Sequence, residues 1–203
     1  MRGKVAWMGC ALVCAGGMVV AQHGDVMPPD HPSTVRPAPN DASSAPAARP
    51  EDVASMDAII KAYYDAMSAG PGEQRDWDRL RSLFVPGGRM LAARALPQGG
   101  AGVWPLTIDD YIDANRKYFE RGGYIEREVA RRVESFGNIA QAWSTYEARR
   151  TEHDPEPYAR GIYSMHLLQG GTRWWIVDLY WDYERPDAQI PAEYLGPEVE
   201  QAP

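Results

Sequence analysis

A change of period constrains this chain more than any other feature. Up to about residue 123, large apolar side chains recur at helical spacing; from 124 to 184 they alternate, interrupted only by short turn-forming segments. A helix brings side chains back to one face every 3.6 residues and a strand every two, so helices come first and a sheet follows. Four strands are predicted, at about 124–136, 138–152, 158–169 and 172–184, with turns at Gly137-Asn138, at 153–157 and at Gly170-Gly171. Links this short join antiparallel neighbours. The fold class expected is α+β, with three N-terminal helices packed on one face of a strongly curved antiparallel β-sheet.

The helices can be placed from their apolar stripes. Met56, Ile59, Ile60, Tyr63 and Met67 mark the first, which Gly70-Pro71-Gly72 stops. Trp77, Leu80, Leu83 and Phe84 mark a short second, ended by Pro86-Gly87-Gly88. Thr107 with Asp110 three residues on reads as a capping box, opening a third helix with Ile108, Tyr111, Ile112, Asn115 and Phe119 on one face. Between the second and third, 89–96 reads as a short strand and 99–105 as loop.

Pairing across the last hairpin predicts two different sheet faces. With Gly170-Gly171 as a two-residue turn, Tyr163 faces Asp178, Met165 faces Ile176 and Leu167 faces Trp174. That first face also carries Tyr180 and, from the neighbouring strand, Ala142, Ser144, Tyr146 and Ala148. Small residues beside large aromatics and a single acid suggest a lined cavity under the helices. The second face carries Trp143, Thr145, His166, Trp175, Val177, Leu179 and Trp181, and it is apolar as well. An antiparallel sheet of this size leaves one face in water unless something covers it. The expected cover is a second copy, making a homodimer through Trp143, His166, Trp175 and Trp181; the alternative is the C-terminal tail.

Asp178 is the candidate catalytic residue, with Tyr63 as its partner. An acid among tyrosines and apolar walls has its charged form disfavoured, which suits a general acid or base, and a tyrosine hydroxyl can hold an oxyanion. The pocket lining expected is Tyr146, Tyr163, Met165, Trp174, Ile176 and Tyr180. The competing reading makes Asp178 structural, bonded to an arginine or a tyrosine. A longer turn would shift the pairing and bring His166 beside Asp178. Glu152-His153-Asp154 has ligand-type residues but no second cluster to complete it, so no metal site is expected. With no Gly-rich phosphate loop, HExxH or GxSxG in the chain, no cofactor is expected either.

The first 50 residues address the chain rather than fold it. Arg2 and Lys4 precede a 16-residue apolar run, Val5 to Val20, with Val19 and Ala21 at the cut positions of a signal peptide over 1–21. A retained anchor is the alternative, although a span needs roughly 20 apolar residues. Residues 22–50 hold seven prolines among Ala, Ser, Asp and Asn, the composition of a disordered spacer. The domain then covers 51–184 and a Pro-containing tail 185–203. Both cysteines, Cys10 and Cys14, leave with the signal segment, so the mature chain has no thiol. The full chain carries a net charge of -7, which loss of Arg2 and Lys4 lowers to -9. Such a charge excludes nucleic acid as a partner and gives no reason for membrane contact beyond the signal segment. The location expected is periplasmic or secreted.

Three segments resemble the nuclear-transport-factor-2-like superfamily, which includes ketosteroid isomerases and SnoaL-type cyclases. They are Ala58-Ile59-Ile60-Lys61-Ala62-Tyr63-Tyr64, Gly137-Asn138-Ile139-Ala140-Gln141-Ala142, and the strand from Gly171 to Asp178. The resemblance, over about 52–184, implies a cone-shaped α+β barrel with its pocket between helices and concave sheet. It implies no single activity, since the superfamily holds enzymes, binders and scaffolds. The expected function is an exported domain binding a small molecule. The alternatives are a cofactor-independent lyase, cyclase or isomerase using an Asp-Tyr pair, and a dimeric interaction module.

Overall fold

The computed structural model describes residues 45–196. The predicted signal segment and most of the spacer, as well as the end of the tail, lie outside the described residues. Four helices, α1 (Pro50–Val53), α2 (Met56–Met67), α3 (Trp77–Leu83) and α4 (Ile108–Gly122), accompany six strands. These are β1 (Phe84–Ala95), β2 (Ala101–Thr107), β3 (Ile125–Phe136), β4 (Ile139–Arg149), β5 (Ala159–Gly170) and β6 (Arg173–Tyr183). They form one open sheet in the order β2-β1-β6-β5-β4-β3. The fold is thus α+β, as expected, with helices on one face of the sheet.

Local chemistry sets the helix ends. Ser55 caps α2 by accepting from the Ala58 amide at 3.1 Å. Thr107 and Asp110 form the predicted capping box on α4, with Asp110 N donating to Thr107 Oγ1 at 3.0 Å and Thr107 N to Asp110 Oδ2 at 3.1 Å. Ile59, Ile60, Tyr63 and Met67 of α2, with Ile112 of α4, are fully buried in one apolar cluster with Tyr146, Met165, Leu167, Ile176 and Leu179 of the sheet. Each such side chain is worth about 1.5–3 kcal/mol of burial.

The four C-terminal strands are antiparallel, but the sheet as a whole is mixed. Strand β1 lies parallel to β6, with Met90 opposite Leu179 and Ala92 opposite Trp181. A parallel neighbour needs a long crossover, and here everything from β2 to β5 intervenes. The 99–105 stretch is not loop: 101–107 is β2, hairpinned on β1 with Ala95 opposite Ala101. Pro105 obscured it, yet β2 is an edge strand, where a missing amide costs no ladder bond.

The β5–β6 hairpin corrects the predicted register. Its turn residues are Gly171 and Thr172, since Gly170 pairs with Arg173, and Gly171 takes the left-handed conformation at φ 69°. Leu167 faces Ile176, but the next pair is His166 with Asp178, so Val177 is an extra, bulged residue. A bulge reverses the alternation beyond it. Leu179 and Trp181 therefore turn inward, opposite Met165 and Tyr163, while Asp178 and Tyr180 turn outward.

The outer face is consequently less exposed than the four-residue dimer patch implied. Trp181 is inside, packed edge-on to Tyr111 of α4, and Trp175 is buried under the Arg173 guanidinium at 3.5 Å. Trp143 remains outside, and the tail stacks Tyr194 on it with ring centres 5.8 Å apart. Thr145 Oγ1 donates to Tyr194 O at 2.5 Å, and Ile190 is buried.

Candidate functional site

The polar centre of the interior is built where the end of α2 meets the start of β3. Just past the helix, Ala69 pairs with Tyr124 through two backbone bonds of 2.9 and 3.0 Å. Ser68 Oγ accepts the Glu126 amide at 2.9 Å and shares its proton between Tyr64 O and Glu126 O. Arg75 completes the junction. It is buried over the Phe119 ring at 5.0 Å and donates to Met67 O at 2.7 Å, Tyr124 O at 3.0 Å and Ala69 O at 3.3 Å. The backbone at Glu126 is thereby held to the helix and its side chain is aimed inward.

Glu126 is 4% exposed. Tyr124 and Tyr163 both donate to its Oε1, the latter at 2.6 Å, while the buried Oε2 has no partner. Tyr146 stacks on Tyr163 at 4.3 Å, and its own hydroxyl is buried without a partner. Tyr63 crosses Tyr163 edge-on at 5.5 Å, and its hydroxyl, close enough to feel that of Tyr163, reaches no bonding geometry. Gly161, opposite Tyr146, makes this packing possible: a Cβ there would sit 2.6 Å from the Tyr146 hydroxyl and 2.5 Å from Asp182 O.

Burial pushes the Glu126 carboxyl up to about 7, against the lowering influence of its two tyrosine bonds and the nearby Arg75 charge. Burial also raises the hydroxyls of Tyr63, Tyr124, Tyr146 and Tyr163 well above their usual value, so all four keep their protons, and Tyr124 and Tyr163 give theirs to Glu126. A carboxyl poised near neutrality, one oxygen engaged and one open, can both accept and return a proton. A buried group left unsatisfied costs about 1–3 kcal/mol, and orphaned atoms on Glu126, Tyr63, Tyr146 and Arg75 crowd one junction.

Of the residues singled out in the sequence, Tyr63, Tyr146, Tyr163, Met165 and Ile176 come together in this interior. Trp174 packs at its margin, half-buried, and Tyr180 is exposed on the outer face opposite Ser164. Asp178 does not join Tyr63 or Tyr163. It lies on the outer face, accepting from or facing His166 Nδ1 at 2.8 Å, the arrangement that a longer turn would have given and that the Val177 bulge gives instead. Sequence reading missed Glu126, Tyr124, Tyr64 and Arg75. The signal was present for Glu126: in Tyr124-Ile125-Glu126 the acid shares the parity of an inward tyrosine. Among the described residues, no group of three or more His, Cys, Asp or Glu could hold a metal ion.

No protein-family model and no curated protein matches this sequence. Solved structures do. The chain is similar to an NTF2-like protein of unknown function from Methylobacillus flagellatus, at 16% identity over 64% of this chain and 95% of that one, with a TM-score of 0.43. A protein from Streptomyces avermitilis, provisionally labelled a dehydratase of the NTF2-like family, aligns at 14% identity over 66% and 96% with a TM-score of 0.47. A provisional ketosteroid isomerase from Parabacteroides distasonis aligns at 12% identity over 64% and 87% with a TM-score of 0.43.

Proposed function

We propose that the domain binds a small, mostly apolar molecule between its helices and the inner sheet face, with Glu126 Oε2 and the Tyr146 hydroxyl as its polar contacts. The observation that carries this reading is the half-satisfied Glu126 carboxyl in a tyrosine-walled interior. Interiors normally satisfy such atoms, and ligand sites combine apolar walls with a few convergent polar groups. Since Glu126, Tyr63 and Tyr146 are closed off from solvent, entry requires the covering side chains to move.

A second reading adds chemistry to binding. An acid near 7 beside a hydroxyl donor suits removal and return of a carbon-bound proton, the work of a cofactor-independent isomerase, lyase or cyclase. Glu126 takes the base role in it, because Asp178 and Tyr63 lie on opposite faces.

Carboxyl-carbon NMR of Glu126 tests both readings. A midpoint near 7 that moves when an apolar ketone such as cyclohexanone is added supports binding at this site. Exchange of that ketone's α-protons into deuterated water, lost in Glu126→Gln, supports the proton-transfer reading. A midpoint near the ordinary glutamate value of about 4.3 would remove the basis of both.

Export belongs to the same proposal on sequence grounds alone. It predicts a periplasmic product whose mass corresponds to a chain beginning at Gln22; an uncleaved mass in the membrane fraction would favour an anchor.

A further inference from the structure

The Val177 bulge does more than displace Asp178 from the interior. It sets that carboxylate beside His166 on the outer face, with Nδ1 and Oδ1 2.8 Å apart. Bulges that re-aim one side chain are concentrated next to functional sites. Here the re-aimed pair lines a cavity of about 580 Å³ between the β3–β4 hairpin and the middle of β5 and β6. That volume falls in the range of small-molecule pockets, about 300–1,000 Å³.

The walls and the polar groups have a consistent chemistry. Phe136 and Ile139, at the tip of the hairpin, are 85% and 59% exposed, and both border the cavity. Phe136 is a large aromatic side chain held almost wholly in water. In the tautomer whose Nδ1 donates to Asp178, the His166 ring presents Nε2 as an acceptor. Gln141 gives its amide nitrogen to Ser164 at 3.0 Å, which leaves its carbonyl oxygen for the cavity it borders. Glu134 adds a carboxylate, and no lysine or arginine is among the lining residues. Acceptors beside an exposed aromatic ring call for a ligand that brings its own donor on an aromatic body. The described tail residues occupy the adjoining region at Trp143, and none of them lines this cavity.

The geometry points to a second ligand site on the outer face, in which the His166–Asp178 pair and Phe136 hold a small hydroxyl-bearing aromatic molecule. It is independent of the interior site, from which the sheet itself separates it.

The test is an NMR titration of the full-length protein with 4-propylphenol and, in parallel, 4-propylanisole, whose methyl ether has lost the donor. Expected are saturable shifts of the His166 ring and of the Ile139 and Val177 methyls. The phenol should bind about tenfold more tightly than the ether, the value of one good hydrogen bond. His166→Phe should abolish that preference, and Phe136→Ser, at an exposed position, should weaken both probes without unfolding the domain. Glu126→Gln should change neither. Equal binding of phenol and ether would overturn the proposal, as would shifts confined to Tyr146 and Tyr163. His166 shifts that follow protein concentration without any probe would also overturn it, assigning the face to contact between copies.

Discussion

Two stretches of β3 solve the same problem in different ways. Glu126 and Glu128 point to the same side of the strand, opposite Ala148 and Tyr146. Around Glu128 the interior opens toward the helix surface: Ser144 donates to it at 2.5 Å, Tyr64 bonds Ser144 at 2.7 Å, and Arg131 lies 3.3 Å away with a second contact to Asp57 at 3.0 Å. Around Glu126 there are tyrosine donors on one oxygen, nothing on the other, and no cation within ion-pairing distance among the described residues. The first arrangement stabilises a carboxylate; the second leaves its charge uncompensated. Counter-ion and solvent access, rather than residue type, separate a structural acid from one that can work.

The largest expected effect comes from breaking the junction that aims Glu126. Arg75→Met removes a buried cation from three carbonyls and should cost about 4 kcal/mol in urea unfolding. A loss below about 1 kcal/mol would mean the junction is held by other means.

Next comes pH. With its native value raised to about 7, Glu126 binds its proton more readily folded than unfolded. Stability should therefore be unaffected by this group below the unfolded value, fall as pH rises toward and through 7, and level off above it. The full decline is about 3.5 kcal/mol on a scale of about 1.4 kcal/mol per pH unit. Glu126→Gln should flatten that slope and leave the variant more stable than wild type at pH 8; a slope unchanged by the substitution would refute the assignment.

Gly161→Ala should destabilise by about 2 kcal/mol, because the new methyl overlaps the Tyr146 hydroxyl and Asp182 O. Combining it with Tyr146→Phe measures how much of that cost is the hydroxyl. Smallest of all, Glu128→Gln should cost about 1 kcal/mol, as expected for a partly exposed pair. An effect as large as that of Glu126→Gln, with the same pH dependence, would erase the contrast between the two acids.

The order of the longer elements was legible because it depends on period alone, although α1 and the edge strand β2 were not read. Turn residues and apolar stripes placed α2, α3, α4 and the four C-terminal strands within a few residues. What escaped was what one extra residue does. Period-two reading assumes unbroken alternation, and no residue type announces a bulge; Val177 looks like any strand valine. That one slip exchanged Asp178 for Trp181 across the sheet and took the candidate catalytic acid out of the interior. A second irregularity on β3, between Glu128 and Ala130, has the same character. Glu126 was overlooked for a different reason. An acid in a run of charges is read as solvated, which overrode its parity with Tyr124; the contact that holds its backbone to the helix comes from Ser68, 58 residues away.

The clasp of Ser68 and Ala69 on β3 also bears on how the protein behaves when crowded. An open sheet ends in two rows of free amides and carbonyls, each a template for fibre growth. On one side, Pro105 interrupts the row in β2. On the other, the chain leaving α2 occupies the first positions of β3, and Arg127, Arg131, Arg132 and Glu134 populate the strand beyond it. The contact that turns Glu126 inward is therefore also a stopper on the sheet, and loosening it should show first as turbidity in concentrated solutions.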